Sequence, residues 1–167
     1  QGRLYTSCQN TIYRKDGNLW SPITTPQKDD YGIIRKMAFD DQRQLLLTQM
    51  GVSDLVSGEF IQSEILNDNN IYTGIQYDGQ FLLGTANGVR VLEGNQIVHS
   101  PIYDHFDSPV YSFLADREGR LWVGTGKGIY LVSPNETYHL SKTNGLAGNE
   151  VNRNALVLSR NGKILVG

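Results

Sequence analysis

Residues 119–125 read Gly-Arg-Leu-Trp-Val-Gly-Thr, and Gly-Ile-Tyr follows at residues 128–130. The pattern returns at residues 79–85 as Gly-Gln-Phe-Leu-Leu-Gly-Thr, followed by Gly-Val-Arg at residues 88–90. In both copies a short apolar run lies between glycines, which is the pattern of a β-strand that begins and ends in tight turns. The chain is therefore predicted to repeat one strand-rich unit.

Three weaker copies extend the repeat along the chain, at residues 2–8, 44–48 and 162–167. If the residue before each apolar run is the marker, the markers stand at positions 2, 43, 79, 119 and 162, in steps of 41, 36, 40 and 43 residues. A period of about 40 residues of strand-like sequence is typical of propeller blades. We predict an all-β protein, a β-propeller fragment of about four blades with four antiparallel strands each.

The best copy shows the four strands of one blade, here called A to D. They are predicted at residues 110–116, 121–125, 129–132 and 137–140. The A strands of the other copies are predicted at residues 34–39, 71–77 and 151–158. The blade segments are approximately 1–30, 31–69, 70–108, 109–147 and 148–167. Since the chain begins and ends within B strands, we expect these segments to be part of a larger propeller array.

Strand B distinguishes a propeller from a sandwich. Leu121, Val123 and Thr125 alternate with Trp122 and Gly124, so both faces of the strand are apolar or small. An antiparallel strand with one face in water would carry polar residues on that face. Blades stacked around an axis bury both faces, so Trp122 is expected to lie buried between blades and Gly124 to permit close approach.

Composition excludes several functional classes. The 15 basic and 17 acidic residues give a net charge of −2 without a charged run, which argues against a nucleic-acid surface. No stretch approaches the roughly 20 apolar residues that span a bilayer. The single cysteine excludes an internal disulfide. His99, His105 and His139 lack the spacing of metal ligands, so no metal and no cofactor are predicted.

Aspartates recur at the turn between strands A and B, at Asp40, Asp78 and Asp116. Carboxylates at such turns accept backbone N–H bonds, whereas the paired carboxylates of a glycosidase would be unique and not periodic. We therefore assign these aspartates to the turns and predict no catalytic residue.

The segment Asp116 to Thr125, with Gly128-Ile129-Tyr130, resembles the two-component regulator propeller repeat. That repeat has an aspartate, a glycine, a strand of aliphatic-Trp-aliphatic-Gly-Thr, and then glycine with an aliphatic residue. Residues 144–151 resemble the linker before strand A, with Ala147 where proline is usual. Only one copy here keeps the tryptophan.

The resemblance implies a role in signalling. In that family the propellers form the extracytoplasmic sensor of hybrid two-component system histidine kinases of Bacteroidetes. Their ligands are usually oligosaccharides, and their output is transcription of a polysaccharide-utilisation operon. The chain would then be a periplasmic, non-enzymatic sensor fragment of a membrane-anchored protein, acting as a homodimer through the parent sensor. Two alternatives are a propeller-fold lyase or glycosidase and a non-catalytic protein-interaction scaffold.

The loops between strands D and A carry the predicted ligand site. They are rich in Asn and Asp and include aromatic residues, which suit hydrogen bonds to sugar hydroxyls and stacking on sugar rings. Arg35 and Arg153 stand at the start of A strands, where neither turn nor core requires a cation. Because arginine binds carboxylates and sulfates, an acidic or sulfated sugar is the first class of ligand to test. The predicted ligand-binding residues are Tyr31, Arg35, Asn70, Tyr72, His105, Phe106, Asn149, Asn152 and Arg153.

Overall fold

The computed structural model describes residues 4–8, 11–23, 32–40, 42–62, 70–133 and 136–167. Sheet 1 has three strands, β1 (Tyr5–Cys8), β2 (Thr11–Asp16) and β3 (Leu19–Ile23). Sheet 2 has four, β4 (Ile34–Phe39), β5 (Gln44–Thr48), β6 (Gly51–Asp54) and β7 (Phe60–Gln62). Sheet 3 is β8 (Ile71–Tyr77), β9 (Gln80–Thr85), β10 (Gly88–Glu93) and β11 (Gln96–Val98). Sheet 4 is β12 (Val110–Ala115), β13 (Leu121–Thr125), β14 (Gly128–Val132) and β15 (Thr137–Leu140), and sheet 5 is β16 (Leu156–Leu158) and β17 (Ile164–Val166).

Every sheet is an antiparallel meander whose neighbouring strands are consecutive in sequence. The first strands of sheets 2 to 5 (β4, β8, β12 and β16) contact one another in series, so they form the inner edge of the array. Within the described ranges the only helices are two short 3₁₀ turns, Pro101–Tyr103 and Lys142–Asn144. The all-β propeller prediction is confirmed, as an open series of sheets.

The core lies between the sheets, as the apolar faces of strand B predicted. Leu47 and Leu83 belong to the core between sheets 2 and 3. Val123 is fully buried on the side of sheet 4 that faces sheet 3. A Cβ at Gly84 would lie 2.7 Å from the Val110 carbonyl oxygen, and one at Gly124 would lie 2.7 Å from Val151 Cγ1. Both glycines are therefore places where adjacent sheets approach too closely for a side chain.

The repeat markers at positions 43 and 79 align Thr48 with Gly84, but the structure shifts the second copy by one residue. Thr48 pairs with Ile34 as Thr85 pairs with Ile71, so Leu47, and not Thr48, holds the position of the strand-B glycine. The space for this leucine comes from the next sheet, where a Cβ at Gly74 would lie 2.8 Å from Leu47 Cδ1. The glycine is thus on the opposite side of the contact in this copy.

Trp122 differs from its predicted burial. Its ring packs against the cluster of Ile129, Val151 and Leu156, but the residue is only half-buried. The neighbouring sheet 5 contributes two strands in the described part of the chain, and these cover only part of the indole. The indole Nε1 donates a hydrogen bond of 2.8 Å to Asp116 Oδ2, so Trp122 also has a polar role in the A–B turn.

The last A strand begins later than the pattern predicts. Strand β16 starts at Leu156, whereas residues 152–155 form a turn in place of the strand predicted from Val151. Asn154 has a φ of 53°, a left-handed conformation that asparagine tolerates better than most residues. The turn is closed by a 3.3 Å bond from Ala155 N to the Asn152 carbonyl. Arg153 and Asn154 therefore lie at the tip of a turn at the inner edge.

Candidate functional site

The inner strands β4, β8 and β12 each carry a β-bulge near their first residue. The register shifts lie within residues 34–36, 71–73 and 110–112. A bulge adds one residue that does not pair with the neighbouring strand and re-aims its side chain, and bulges are enriched beside functional sites. The extra residues are Arg35, Tyr72 and Tyr111.

These three side chains meet Arg153, from the turn before sheet 5, in one group, which we call the bulge cluster. The rings of Tyr72 and Tyr111 are 5.0 Å apart between centroids. The Cζ atoms of Arg35 and Arg153 lie 5.8 Å and 4.7 Å from the centroid of Tyr72, within the range of cation–π attraction. Three sheets and the turn before a fourth thus contribute one side chain each to a single place.

The bulge cluster places two positively charged side chains near the same aromatic ring. Burial lowers the pKa of Arg35, and the nearby charge of Arg153 lowers it further, against an opposing effect of Tyr72. Arg35 Nε is buried with no hydrogen-bond partner, and neither arginine forms an ion pair within the described ranges. Burial also raises the pKa of Tyr111, with further contributions from Tyr72 and Glu150. The arginines are therefore short of compensating negative charge.

An open cleft of about 340 Å³ lies beside the bulge cluster, lined by Tyr111, Glu150, Val151, Asn152 and Arg153. It gives a ligand access to the exposed guanidinium of Arg153 and the edge of Tyr111. Glu150 is the acidic group of this lining, so the cleft offers an acceptor as well as donors.

A larger cleft, of about 580 Å³, lies at the opposite ends of the strands between sheets 2 and 3. Its arginine is already engaged, because Arg43 Nε donates to Asp40 Oδ2 at 2.7 Å and Arg43 Nη1 donates to the Gly94 carbonyl at 2.8 Å. We favour the smaller cleft as the candidate site, since its Arg153 and the nearby Arg35 lack such partners among the described residues.

The structure brings some of the predicted site residues together. Arg35, Tyr72 and Arg153 belong to the bulge cluster, and Asn152 lines the adjoining cleft. Asn70, one residue before β8, has a buried Oδ1 without a hydrogen-bond partner in the described part of the chain. Tyr31 lies outside the described residues.

The remaining predicted residues have structural surroundings of their own. Phe106 is 3% exposed in the core between sheets 3 and 4. His105 lies on Phe106 with ring centroids 3.9 Å apart, beside Tyr130. Asn149 Oδ1 accepts a 2.7 Å hydrogen bond from Lys142 N, which joins two parts of the loop before sheet 5. Phe106 and His105 therefore contribute to packing, and Asn149 stabilises a loop. None of the three belongs to the bulge cluster.

Sequence reasoning missed Tyr111. Its signal was present, because Val110-Tyr111-Ser112 repeats the order of aliphatic, tyrosine and hydroxyl residue of Ile71-Tyr72-Thr73. Tyr111 occupies the same bulge position as Arg35 and Tyr72, both of which were predicted.

The described residues contain no group of three potential metal ligands. Nor does any described helix have the length and apolar character needed to cross a membrane.

Comparison with known proteins agrees with the fold and the repeat. Residues 105–127 match the family model of the two component regulator propeller, which confirms the resemblance in the best copy. No curated protein sequence matches the chain at a significant level.

Several solved structures share the fold at low sequence identity. One of them is the extracellular domain of BT4673 from B. thetaiotaomicron, which is described as a one component system in one structure and as a hybrid two component system in another. The first of these structures is 18% identical to this chain, with a TM-score of 0.71. That comparison covers 99% of this chain and 24% of the other. The extracellular domain of the hybrid two component system BT3049 of the same organism is 16% identical, with a TM-score of 0.69 over 99% of this chain and 26% of that one. The WD40 propeller domain of Doa1 is 14% identical, with a TM-score of 0.59 over 98% of this chain and 57% of that one.

Proposed function

We infer that this chain is part of the extracytoplasmic sensor of a hybrid two-component signalling protein, and that its ligand is an oligosaccharide bound at the bulge cluster. The observation that carries the proposal is that equivalent bulges in three sheets and the turn before a fourth bring Arg35, Tyr72, Tyr111 and Arg153 together. The repeat at residues 105–127 and the similarity to extracellular domains of signalling systems support the sensor role.

The chemistry of the bulge cluster suits an acidic or sulfated sugar. A guanidinium forms paired hydrogen bonds with a carboxylate or sulfate, and Arg153 is exposed to do so. Tyr111 and Asn152 line the cleft and supply an aromatic edge and an amide for sugar hydroxyls. Tyr72 has guanidinium groups near its ring, so its part is to hold the arginines in place.

A ligand in this place would touch several sheets at once. Its binding would stabilise one relative packing of these sheets over another, and a dimer of the parent sensor would pass that preference to the kinase. The ligand can shift the equilibrium only as far as its affinities for the two states differ.

Isothermal titration calorimetry tests the ligand class. We expect acidic or sulfated oligosaccharides to bind the protein more tightly than neutral oligosaccharides of the same length. Each of Arg35→Ala and Arg153→Ala should weaken binding about tenfold or more, because each removes a charge-assisted contact. Arg160→Ala, which changes an exposed arginine of the β16–β17 turn, should leave affinity unchanged. Unchanged affinity after both site substitutions together would show that the ligand binds elsewhere.

A further inference from the structure

Lys36 is a third positively charged side chain, next to Arg35 of the bulge cluster. It follows the bulged Arg35 on β4 and is half-buried. Its Nζ donates hydrogen bonds to Thr73 Oγ1 at 3.3 Å and to the Gly74 carbonyl at 3.2 Å. An ammonium has three protons, so one remains available for another acceptor.

The charge of Lys36 lacks a counter-ion within the described ranges. Burial is the cause that lowers the pKa of Lys36, and no carboxylate of the described residues offsets it. Burying an ammonium that has only neutral hydrogen-bond acceptors costs free energy. The acceptors replace part of the lost hydration, but they do not neutralise the positive charge.

Asn154 supplies a second donor group at the same place. The Thr73 hydroxyl accepts from Lys36 and donates its own proton to Asn154 Oδ1 at 3.2 Å. Since the side-chain oxygen of Asn154 is the acceptor, its Nδ2 carries two protons that have no partner in the described part of the chain. The backbone N of Asn154 also donates to the Tyr111 carbonyl at 3.0 Å, which holds the residue against sheet 4.

A series of hydrogen bonds therefore joins the inner edges of sheets 2, 3 and 4 to the turn before sheet 5. It runs from Lys36 of sheet 2 through Thr73 of sheet 3 to Asn154, the residue of the turn before sheet 5 that also contacts sheet 4. Lys36 and Asn154 at the two ends of this series each have an unused N–H group, and both side chains contact the hydroxyl of Thr73.

We propose that Lys36 and Asn154 form the base of an oxyanion subsite, which takes the carboxylate, sulfate or phosphate group of a ligand and shares that group with Arg153. Its biological use rests on the sensor function proposed above, but its chemistry does not require a sugar. A tetrahedral or planar oxyanion offers several acceptors to the ammonium, the amide and the guanidinium at once. It also supplies a counter-ion, since none of Lys36, Arg35 and Arg153 forms an ion pair within the described residues.

The test uses small oxyanions with the full-length protein. Sulfate, phosphate and acetate are added separately at low millimolar concentration, with chloride at the same ionic strength as the reference, and binding is measured by calorimetry and by the shift in melting temperature. We expect binding of at least one oxyanion to the parent protein. Lys36→Met should weaken it about tenfold or more, because the substitution keeps most of the side-chain length and removes the charge. Lys15→Met, a change of an exposed lysine on β2, should bind like the parent.

Asn154→Gly provides a second variant in case Lys36→Met does not fold. Glycine retains the left-handed backbone and removes the amide, so oxyanion affinity should fall while the fold persists. Equal oxyanion affinity in the parent and in these variants would overturn the proposal, as would the absence of oxyanion-specific binding to the parent. An oligosaccharide that binds in an Arg153-dependent manner without any oxyanion effect would remove this subsite and leave the sensor proposal intact.

Discussion

Gly88→Ala is expected to destabilise the protein by about 4 kcal/mol or more, although it adds only one methyl group. Gly88 begins β10 with a φ of 93°, where L-residues are strained. An added Cβ would also overlap the carbonyl oxygen of Phe106, which belongs to the loop before β12. That carbonyl is backbone and cannot move without displacing Phe106 from the core between sheets 3 and 4.

Gly94→Ala separates the two contributions. Gly94 also has a positive φ, of 56°, but no atom lies within 4 Å of the position of its Cβ. Its substitution should therefore cost only the backbone strain, about 1–2 kcal/mol. Urea denaturation of both variants gives the comparison, and equal losses of stability would show that the contact with Phe106 is not limiting.

Asp116→Asn is expected to lower the free energy of unfolding at neutral pH by about 2–4 kcal/mol. The Asp116 carboxylate is 5% exposed and accepts four hydrogen bonds. Oδ1 accepts from Glu118 N and Arg120 N, and Oδ2 accepts from Arg120 Nε and Trp122 Nε1. An asparagine would present its amide N–H groups to one pair of these donors.

The same contacts make the stability depend on pH. Burial alone would raise the pKa of Asp116, but the hydrogen bonds from Trp122, Arg120 and Glu118 outweigh it and lower the pKa from 3.8 to about 2. A carboxyl whose pKa is lower in the folded state stabilises the fold above its unfolded pKa, and this contribution is lost as the pH falls toward the folded pKa. The parent should therefore lose about 2 kcal/mol from this group between about pH 4 and pH 2, and Asp116→Asn should lack this component.

Asp78→Asn is the matched control. Asp78 was predicted to have the same turn role, but it is exposed and lies in a two-residue turn with a φ of 47°, which asparagine also adopts. Its substitution should leave the stability at neutral pH unchanged. If Asp116→Asn behaves like Asp78→Asn, the carboxylate of Asp116 does not hold the turn.

The fold was predictable because each blade is a local structure. Strand and turn residues recur in sequence, and neighbouring strands of a meander are also neighbours along the chain. The errors came from contacts between sheets. Leu47 in the glycine position could not be recognised without Gly74 of the next sheet, which provides the space.

The candidate site was only partly predictable. Arg35 and Arg153 were recognisable as cations without a role in turn or core, and the structure brings both to Tyr72. Tyr111 was not recognised although its neighbours repeat the pattern around Tyr72. Lys36 was not recognised because its importance depends on residues of another sheet. Phe106 was selected as an exposed loop aromatic and is instead buried in the core, since the loop folds back over β10.

The sequence by itself determined the repeat, the strand order within each blade and the largely buried second strand of sheets 2 to 4, because these depend on the alternation of residues and on turn chemistry within about 40 residues. Only the tertiary structure decided which side chains meet at the inner edge. A bulge changes the direction of one side chain without a distinctive sequence, and residues more than 80 positions apart, such as Thr73 and Asn154, come into contact only when the sheets are packed in series.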